Sequence, residues 1–383
     1  RDRRAGRLRP RGLLRLRLRG RLLVRVVDSL RRRRRRRRPL LRAARAVGAR
    51  AQGAAEALRA GPPERRPMPD DAFAAASWRD PAFWRRVAPL GIGSPPRRKR
   101  KRPADDADAD APQRPADDAD ADAPQRPADD DADEAPQFAR DGFATLRGDA
   151  TTAALAEQCA DAIERLAARG LPAACVFLYD EAWALVAAFA PRTTRLLAAG
   201  AAMNYDCYAF RVAPGARGWA AHRDRAGDAA CAPGYATCWV ALTDCGPDTA
   251  CVRAAPLRAT EGIEEDDPRA LEDAAARAAV PLALRRGDAA AWAGRTVHFG
   301  GPHADATRPP RAALAFAAST PALEDDRDRI EAVRAWTGGG AALPFDARLK
   351  LVALQLEFYA DAEPLDPRVR SVLDALDAAW CGD

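Results

Sequence analysis

Two short stretches, Ala221-His222-Arg223-Asp224 and Val297-His298-Phe299-Gly300-Gly301, decide how the rest of the chain is read. The chain holds only three histidines, His222, His298 and His303, and all lie in these stretches or just beyond them. On a β-strand, residues two apart share a face, so His222 and Asp224 offer an imidazole and a carboxylate to one point. His298, from a later strand, completes a set of two imidazoles and one carboxylate. Such a set leaves positions open on one side of a metal and suits non-haem Fe(II), where a cosubstrate and O2 bind together.

A lone His-x-Asp is weak in a chain this rich in Asp, and His-Arg-Asp also opens a protein kinase catalytic loop. That loop needs an Asn five residues after the Asp to hold a second Mg2+. Position 229 is Ala, and Asn204 is the only Asn in the chain, which excludes the kinase reading. The flanking sequence favours iron. Residues 285–298 read as turn, strand, turn, strand and deliver His298 near a strand end. Arg311 then begins Arg-Ala-Ala-Leu-Ala-Phe-Ala-Ala-Ser, a strand candidate leaving a Pro-rich turn. A guanidinium there can grip a carboxylate through two parallel hydrogen bonds, which a lysine cannot do.

From Phe138-Ala-Arg-Asp-Gly-Phe143 to about Ser319 the chain resembles the phytanoyl-CoA dioxygenase-like branch of the Fe(II)- and 2-oxoglutarate-dependent oxygenases. The resemblance implies that His222, Asp224 and His298 hold Fe(II) and that Arg311 anchors 2-oxoglutarate. Cys238 to Pro256 is similar to the strand and loop that carry a tryptophan beside the cosubstrate, here Trp239. Fe(II), 2-oxoglutarate and O2 are thus the implied cofactor and cosubstrates. Hydroxylation of a small-molecule or acyl substrate, with release of succinate and CO2, is the implied reaction. The chain departs from the family where Leu257-Arg258-Ala259 replaces a usual Gly-Ser-His and where Gly300 replaces a frequent Ser. The interval from the distal histidine to the arginine is also a couple of residues longer.

Charge divides the chain. Residues 1–102 carry a net +27, residues 103–137 a net −11 and residues 138–383 a net −8. The pI of 9.3 therefore belongs to the tail and licenses no nucleic-acid role for the catalytic region. Residues 1–102, with eight consecutive arginines at 31–38, read as a basic, low-complexity, disordered tail. Its Arg-rich, acid-poor start fits an organelle transit peptide, and Pro95 to Arg102 fits a nuclear localisation signal. An intracellular protein is the expectation, with nuclear and organellar placement both open. The tail is also where nucleic acid or an import factor would bind. A catalytically inactive jelly roll acting as a binding module through that tail is the alternative function. Within residues 70–94, Phe73, Trp78, Phe83 and Trp84 suit a short helix docking on the domain or a peptide motif for a partner. A twelve-residue unit then occurs three times from Arg102 to Gln137, twice as RPADDADADAPQ and once as RPADDDADEAPQ; proline and self-repelling Asp make residues 103–137 an extended acidic linker.

The ordered part is expected over 138–325, with C-terminal helices at 326–383 packing on it. Thr151 or Thr152 can cap a helix through Leu155, Cys159, Ile163 and Leu166, ended by Gly170. Cys175 to Tyr179 suits a strand or a short buried helix, and Asp180 to Gly200 a helix broken or kinked by Pro191. Strand candidates follow at 205–212, 236–243, 251–255, 280–284, 289–292, 296–299 and 311–317, interrupted by a charged helical insertion at 263–279. Short strands with Gly/Pro turns, preceded by helices, predict a mainly β fold with flanking helices: a double-stranded β-helix, or cupin-like jelly roll.

Several residues compete for roles. His303 competes with His298, and Arg308 with Arg311; strand placement and the resemblance favour His298 and Arg311. Tyr205 and Tyr208 are pocket or core residues, Arg223 points away from the metal on a strand, and Asp288 after Gly287 is a turn former. None of the eight cysteines has CxxC spacing, so zinc is disfavoured and reduced, buried thiols are expected. No long uncharged apolar window suits a membrane helix.

Overall fold

The computed structural model describes residues 73–91, 134–225, 228, 233–263, 267–323, 343–361 and 363–382. Most of the basic tail and of the acidic repeat, Cys231, and the segment 324–342 lie outside the described residues. Arg65–Ala360 forms one compact unit, whereas Asp361–Asp383 falls in another.

Helices α1 (Ala75–Arg79) and α2 (Pro81–Val87) bury Trp78 and Trp84 completely. The indole of Trp84 donates to the Trp78 carbonyl, and Tyr179 Oη donates to the Trp84 carbonyl. This segment therefore docks on its own domain. Helix α3 (Glu134–Asp141) takes up the last four residues of the acidic repeat, so regular structure begins before Phe138. It leads into strand β1 (Phe143–Leu146), which pairs antiparallel with a later strand. Four residues give too few alternations for β1 to show in the sequence.

Helix α4 (Ala150–Ala167) is capped by Asp149 rather than by Thr151 or Thr152. Asp149 Oδ1 accepts from the Thr152 amide and Thr152 Oγ1 accepts from the Asp149 amide, so the threonine completes the cap from three residues inside. Residues 173–178 form a buried 3-10 turn, the second of the two options for that stretch. Helix α5 (Asp180–Arg195) continues through Pro191 and stops short of Gly200. Thr193 and Thr194 hydroxyls donate back to the Phe189 and Pro191 carbonyls in its last turn.

The remaining strands are β2 (Ala202–Val212), β3 (Tyr235–Ala241), β4 (Val252–Ala254), β5 (Val280–Pro281), β6 (Ala289–Ala293), β7 (His298–Gly300) and β8 (Arg311–Ser319). Helix α6 (Pro268–Ala278) is the charged insertion, capped by Asp267. One sheet runs β1-β6-β3-β8-β2 and a second β5-β4-β7, with every strand pairing among the described residues antiparallel. Every residue of β3, β6 and β8 is buried, as strands covered on both faces require.

Register decides what faces inward. Thr237, Trp239 and Ala241 of β3 stand opposite Ala317, Ala315 and Ala313 of β8, and Thr237 and Trp239 stand opposite Trp292 and Ala290 of β6. Trp239, Trp292, Ala241, Ala290, Ala313 and Ala315 pack with Val252 and Ala254 of β4 and with Leu282 and Leu284. The core thus lies between two facing sheets, with α5 over the outer face of β3 and β8. This is the expected jelly roll with flanking helices. Helix α7 (Phe345–Tyr359) packs on β2 and the 3-10 turn, locked by the fully buried Arg348, which donates to the Leu178 and Leu343 carbonyls and pairs with Asp180 at 2.7 Å. Helix α8 (Pro367–Gly382) belongs to the second unit and buries Val369, Val372, Leu373 and Leu376 along one face.

Candidate metal centre

The His-Arg-Asp stretch is not the regular strand its spacing predicted. Ala213-Pro-Gly-Ala-Arg-Gly-Trp-Ala-Ala221 is too rich in turn formers for a ladder, and only isolated bridges survive, Arg217 to Pro302 and His222 to His298. Backbone bonds between these bridges, Gly218 N to Gly301 O and Gly300 N to Trp219 O, lay the stretch along the free edge of β7. His222 and His298 exchange both amide-to-carbonyl bonds at 3.0 Å, which places their imidazoles side by side with ring centroids 4.3 Å apart. Gly300 is what permits the approach: a Cβ there would sit 2.4 Å from Gly218 Cα. That contact accounts for glycine where the family often carries serine.

Asp224 completes the cluster. One donor atom from each of His222, Asp224 and His298 lies within 4.8 Å of the others. Each histidine Nε2 stands 3.7 Å from Asp224 Oδ1. That distance is too long for a hydrogen bond, yet two bonds of ~2.1 Å from one divalent ion would span it. Tautomers follow from the partners. Nδ1 of His222 faces the Ala220 carbonyl at 2.7 Å and Nδ1 of His298 faces the Thr296 carbonyl at 3.1 Å. A carbonyl only accepts, so both Nδ1 atoms carry the proton and both Nε2 lone pairs point at the centre. Burial lowers the His298 pKa to about 4, which keeps the ring neutral, as a ligand must be. Burial pushes the Asp224 carboxyl up, but the neighbouring imidazoles of His298 and His222, with hydrogen bonds from Thr237 and Trp292, outweigh it and hold it below its usual value.

Those two hydrogen bonds were not anticipated. Thr237 Oγ1 donates to Asp224 Oδ2 at 2.6 Å and Trp292 Nε1 donates to the same atom at 2.9 Å. With Oδ2 held, Oδ1 is the oxygen left facing the imidazoles. Thr237 and Trp292 are direct cross-strand partners on β3 and β6, and the Trp292 ring also lies 4.5 Å from that of His298. A threonine in a strand gives no sequence signal for this; only the register does.

Arg311, 3% exposed, projects from the first residue of β8 into the same inward face. Its Nε donates to the Ala250 carbonyl at 3.0 Å, and its guanidinium carbon lies 5.2 Å over the Trp239 ring. Ala250 adopts φ +56°, a left-handed conformation that costs a non-glycine residue about 1–2 kcal/mol and that here orients its peptide towards Arg311. These contacts fix the guanidinium plane, whose two terminal nitrogens match the two oxygens of a carboxylate. The competitors sit elsewhere. His303 is buried with Nε2 donating to the Pro309 carbonyl, and Arg308 lies 3.7 Å from Asp305 beside a surface cleft also lined by Glu157 and Asp244. Arg223 donates to the Thr260 and Ile263 carbonyls. Asp288 does more than turn the chain, accepting from the Gly148 amide and from Arg147. Tyr208 is buried, and the carbonyl of Tyr205 receives the Gln355 amide. Six cysteines are free and buried, and burial raises the pKa of each. Among the described residues no helix is long and apolar enough to cross a membrane.

The donor set fits Fe(II), offering two neutral imidazole nitrogens and one carboxylate oxygen. Comparison with known proteins adds the family. No curated protein matches the chain. Among solved structures, EvdMO1 is 20% identical with a TM-score of 0.41, over 49% of each chain, so the match spans about half of EvdMO1. SnoN, a non-heme alpha ketoglutarate dependent epimerase from nogalamycin biosynthesis, is 20% identical with a TM-score of 0.39, over 50% of this chain and 83% of its own. AviO1 from Streptomyces viridochromogenes is 20% identical with a TM-score of 0.38, over 50% and 96%. The family model described as Phytanoyl-CoA dioxygenase (PhyH) matches residues 119–310, half of the chain, and takes in His222, Asp224, Trp239 and His298. The chain belongs to the phytanoyl-CoA dioxygenase family, whose members use Fe(II), 2-oxoglutarate and O2.

Proposed function

We propose that this protein is an Fe(II)- and 2-oxoglutarate-dependent hydroxylase in which Nε2 of His222, Nε2 of His298 and Oδ1 of Asp224 hold the iron. The observation that carries this reading is the convergence of three lone-pair donors whose other polar atoms are already committed to protein partners. When bound, iron would supply the oxygen chemistry, coupling decarboxylation of 2-oxoglutarate to succinate and CO2 with attack on a C–H bond. Arg311 binds the distal carboxylate of 2-oxoglutarate, and Trp239 forms the wall beside it. Thr237 and Trp292 keep Asp224 from rotating. The facing sheets exclude water from His298, while the half-exposed His222 marks the side from which a small-molecule or acyl substrate enters. The binding-module alternative rested on the basic tail, and no contact among the described residues favours it.

Release of succinate from 2-oxoglutarate tests the proposal. The full chain with Fe(II) is expected to turn over 2-oxoglutarate even without a substrate, and Arg311→Ala is expected to raise the 2-oxoglutarate KM at least about tenfold by removing a charge-assisted pair. Equal KM values in the two proteins would contradict the assignment of Arg311.

A further inference from the structure

On the inward face, β8 offers only alanines and Ser319 beyond Arg311, so the tall side chains come from the strands beside it. Tyr235, Thr237 and Trp239 rise from β3, and Tyr208 and Phe210 from β2, where Tyr208 stands opposite Ala315. The pairing of β2 with β8 is irregular between Met203 and Cys207, and within that break Asp206 turns inward. Asp206 Oδ2 accepts from Tyr235 Oη at 3.0 Å and Oδ1 accepts from Tyr359 Oη at 2.8 Å. Tyr359 arrives from α7, beyond the stretch that the family model matches.

The rings around this carboxylate reach the candidate metal centre. Tyr359 packs at a tilt against Tyr208, with ring centroids 4.4 Å apart, and against Trp219 at 5.1 Å, and Trp219 lies 6.0 Å from His222. Trp219 is half-exposed, on the accessible side of the site. No lysine or arginine among the described residues lies within ion-pair distance of Asp206; Arg225 instead stacks over the Tyr235 ring at 4.7 Å. A carboxylate has about four lone-pair positions, and the two phenols use two of them. Burial pushes the carboxyl of Asp206 above its usual value despite the pull of Arg225 and of both phenols, so its charge is under-compensated. Asp206 as a residue is half-buried rather than sealed in the core.

We propose that Asp206 determines specificity by receiving a protonated amine of the substrate, whose apolar body lies against Trp219 and Tyr359. The inference rests on the reading of this site as an oxygenase centre, and it deepens that reading by naming the substrate class: an organic cation with a flat apolar face. An ammonium donates to the remaining lone pairs, places a positive charge in direct contact with the carboxylate, which Arg225 does not, and gains from the surrounding ring faces. A neutral molecule of the same shape obtains only the stacking.

Calorimetric titration of the full chain with tryptamine and with its uncharged isostere 3-propylindole tests this, with and without added Fe(II). The wild-type protein is expected to bind tryptamine at least about tenfold more tightly than 3-propylindole in both arms, since Asp206 is not among the proposed iron ligands. Asp206→Asn is expected to abolish the preference, and Tyr359→Phe, which keeps the ring and removes one donor, to retain it. Trp219→Ala is an arm that leaves the carboxylate in place and is expected to weaken both ligands about tenfold. Equal affinities in the wild-type protein, an unchanged preference in Asp206→Asn, or wild-type affinities in Trp219→Ala would each overturn the proposal. Because the titration reads binding and not turnover, a failed preference is distinguishable from a failed iron assignment.

Discussion

Asp224 shows how much of a metal centre lies in atoms that never touch the metal. Its Oδ2 is shared between Thr237 and Trp292, which stand opposite each other across two strands, and so its Oδ1 is aimed. Thr237→Val keeps the shape and removes one donor. It is expected to weaken Fe(II) affinity about 10- to 100-fold, measured by competition with a chelator, with little change in thermal midpoint. An affinity equal to that of the wild type would mean that the carboxylate needs no such support. The proposed ligands were legible in the sequence because the relevant chemistry is scarce there: three histidines, of which His222 and His303 each stand two residues before an Asp. Thr237, Trp292, Asp206 and Tyr359 were not, since a threonine, a tryptophan or an aspartate acquires such a role only through strand register or through a helix more than a hundred residues away.

Among the elements, the stretch leading to His222 departed most from expectation. Period-two spacing predicted a strand, yet Pro214, Gly215 and Gly218 reduce it to two bridges against β7 and its following turn. His222 and Asp224, which the spacing was to bring to one point, still lie 3.7 Å apart at Nε2 and Oδ1, and the bridge between His222 and His298, not a regular ladder, sets the imidazoles side by side. The contact of Gly218 with Gly300 is therefore the tightest constraint on the site. Gly300→Ser, which restores the residue frequent in the family, is expected to force the two segments apart, costing about 1–3 kcal/mol in denaturant unfolding and lowering iron occupancy. A serine variant as stable and as iron-loaded as the wild type would show that the segments yield without cost. The long strands β2, β3 and β8 were legible from their apolar runs. Strand β1 and the true cap of α4 were not, the first being too short and the second depending on a reciprocal bond.

At the scale of the molecule, the charge profile sets a basic tail and an acidic repeat apart from the rest of the chain, but the end of the repeat is no structural boundary: the family match begins inside it, at residue 119. Helices α1 and α2 close over Tyr179 and bury two tryptophans some fifty residues earlier in the chain. A chain starting at residue 73 with the repeat excised is expected to keep the full-length thermal midpoint, and one starting at residue 134 to lose several degrees. Equal midpoints would show that the docked segment contributes nothing. Everything proposed about chemistry depends on one ion held by three side chains. Equilibrium binding of Fe(II) under anaerobic conditions tests that most directly. The account predicts one tightly bound ion per chain, lost in His222→Ala and in His298→Ala with secondary structure intact and retained in His303→Ala; one ion per chain in all four proteins would contradict it.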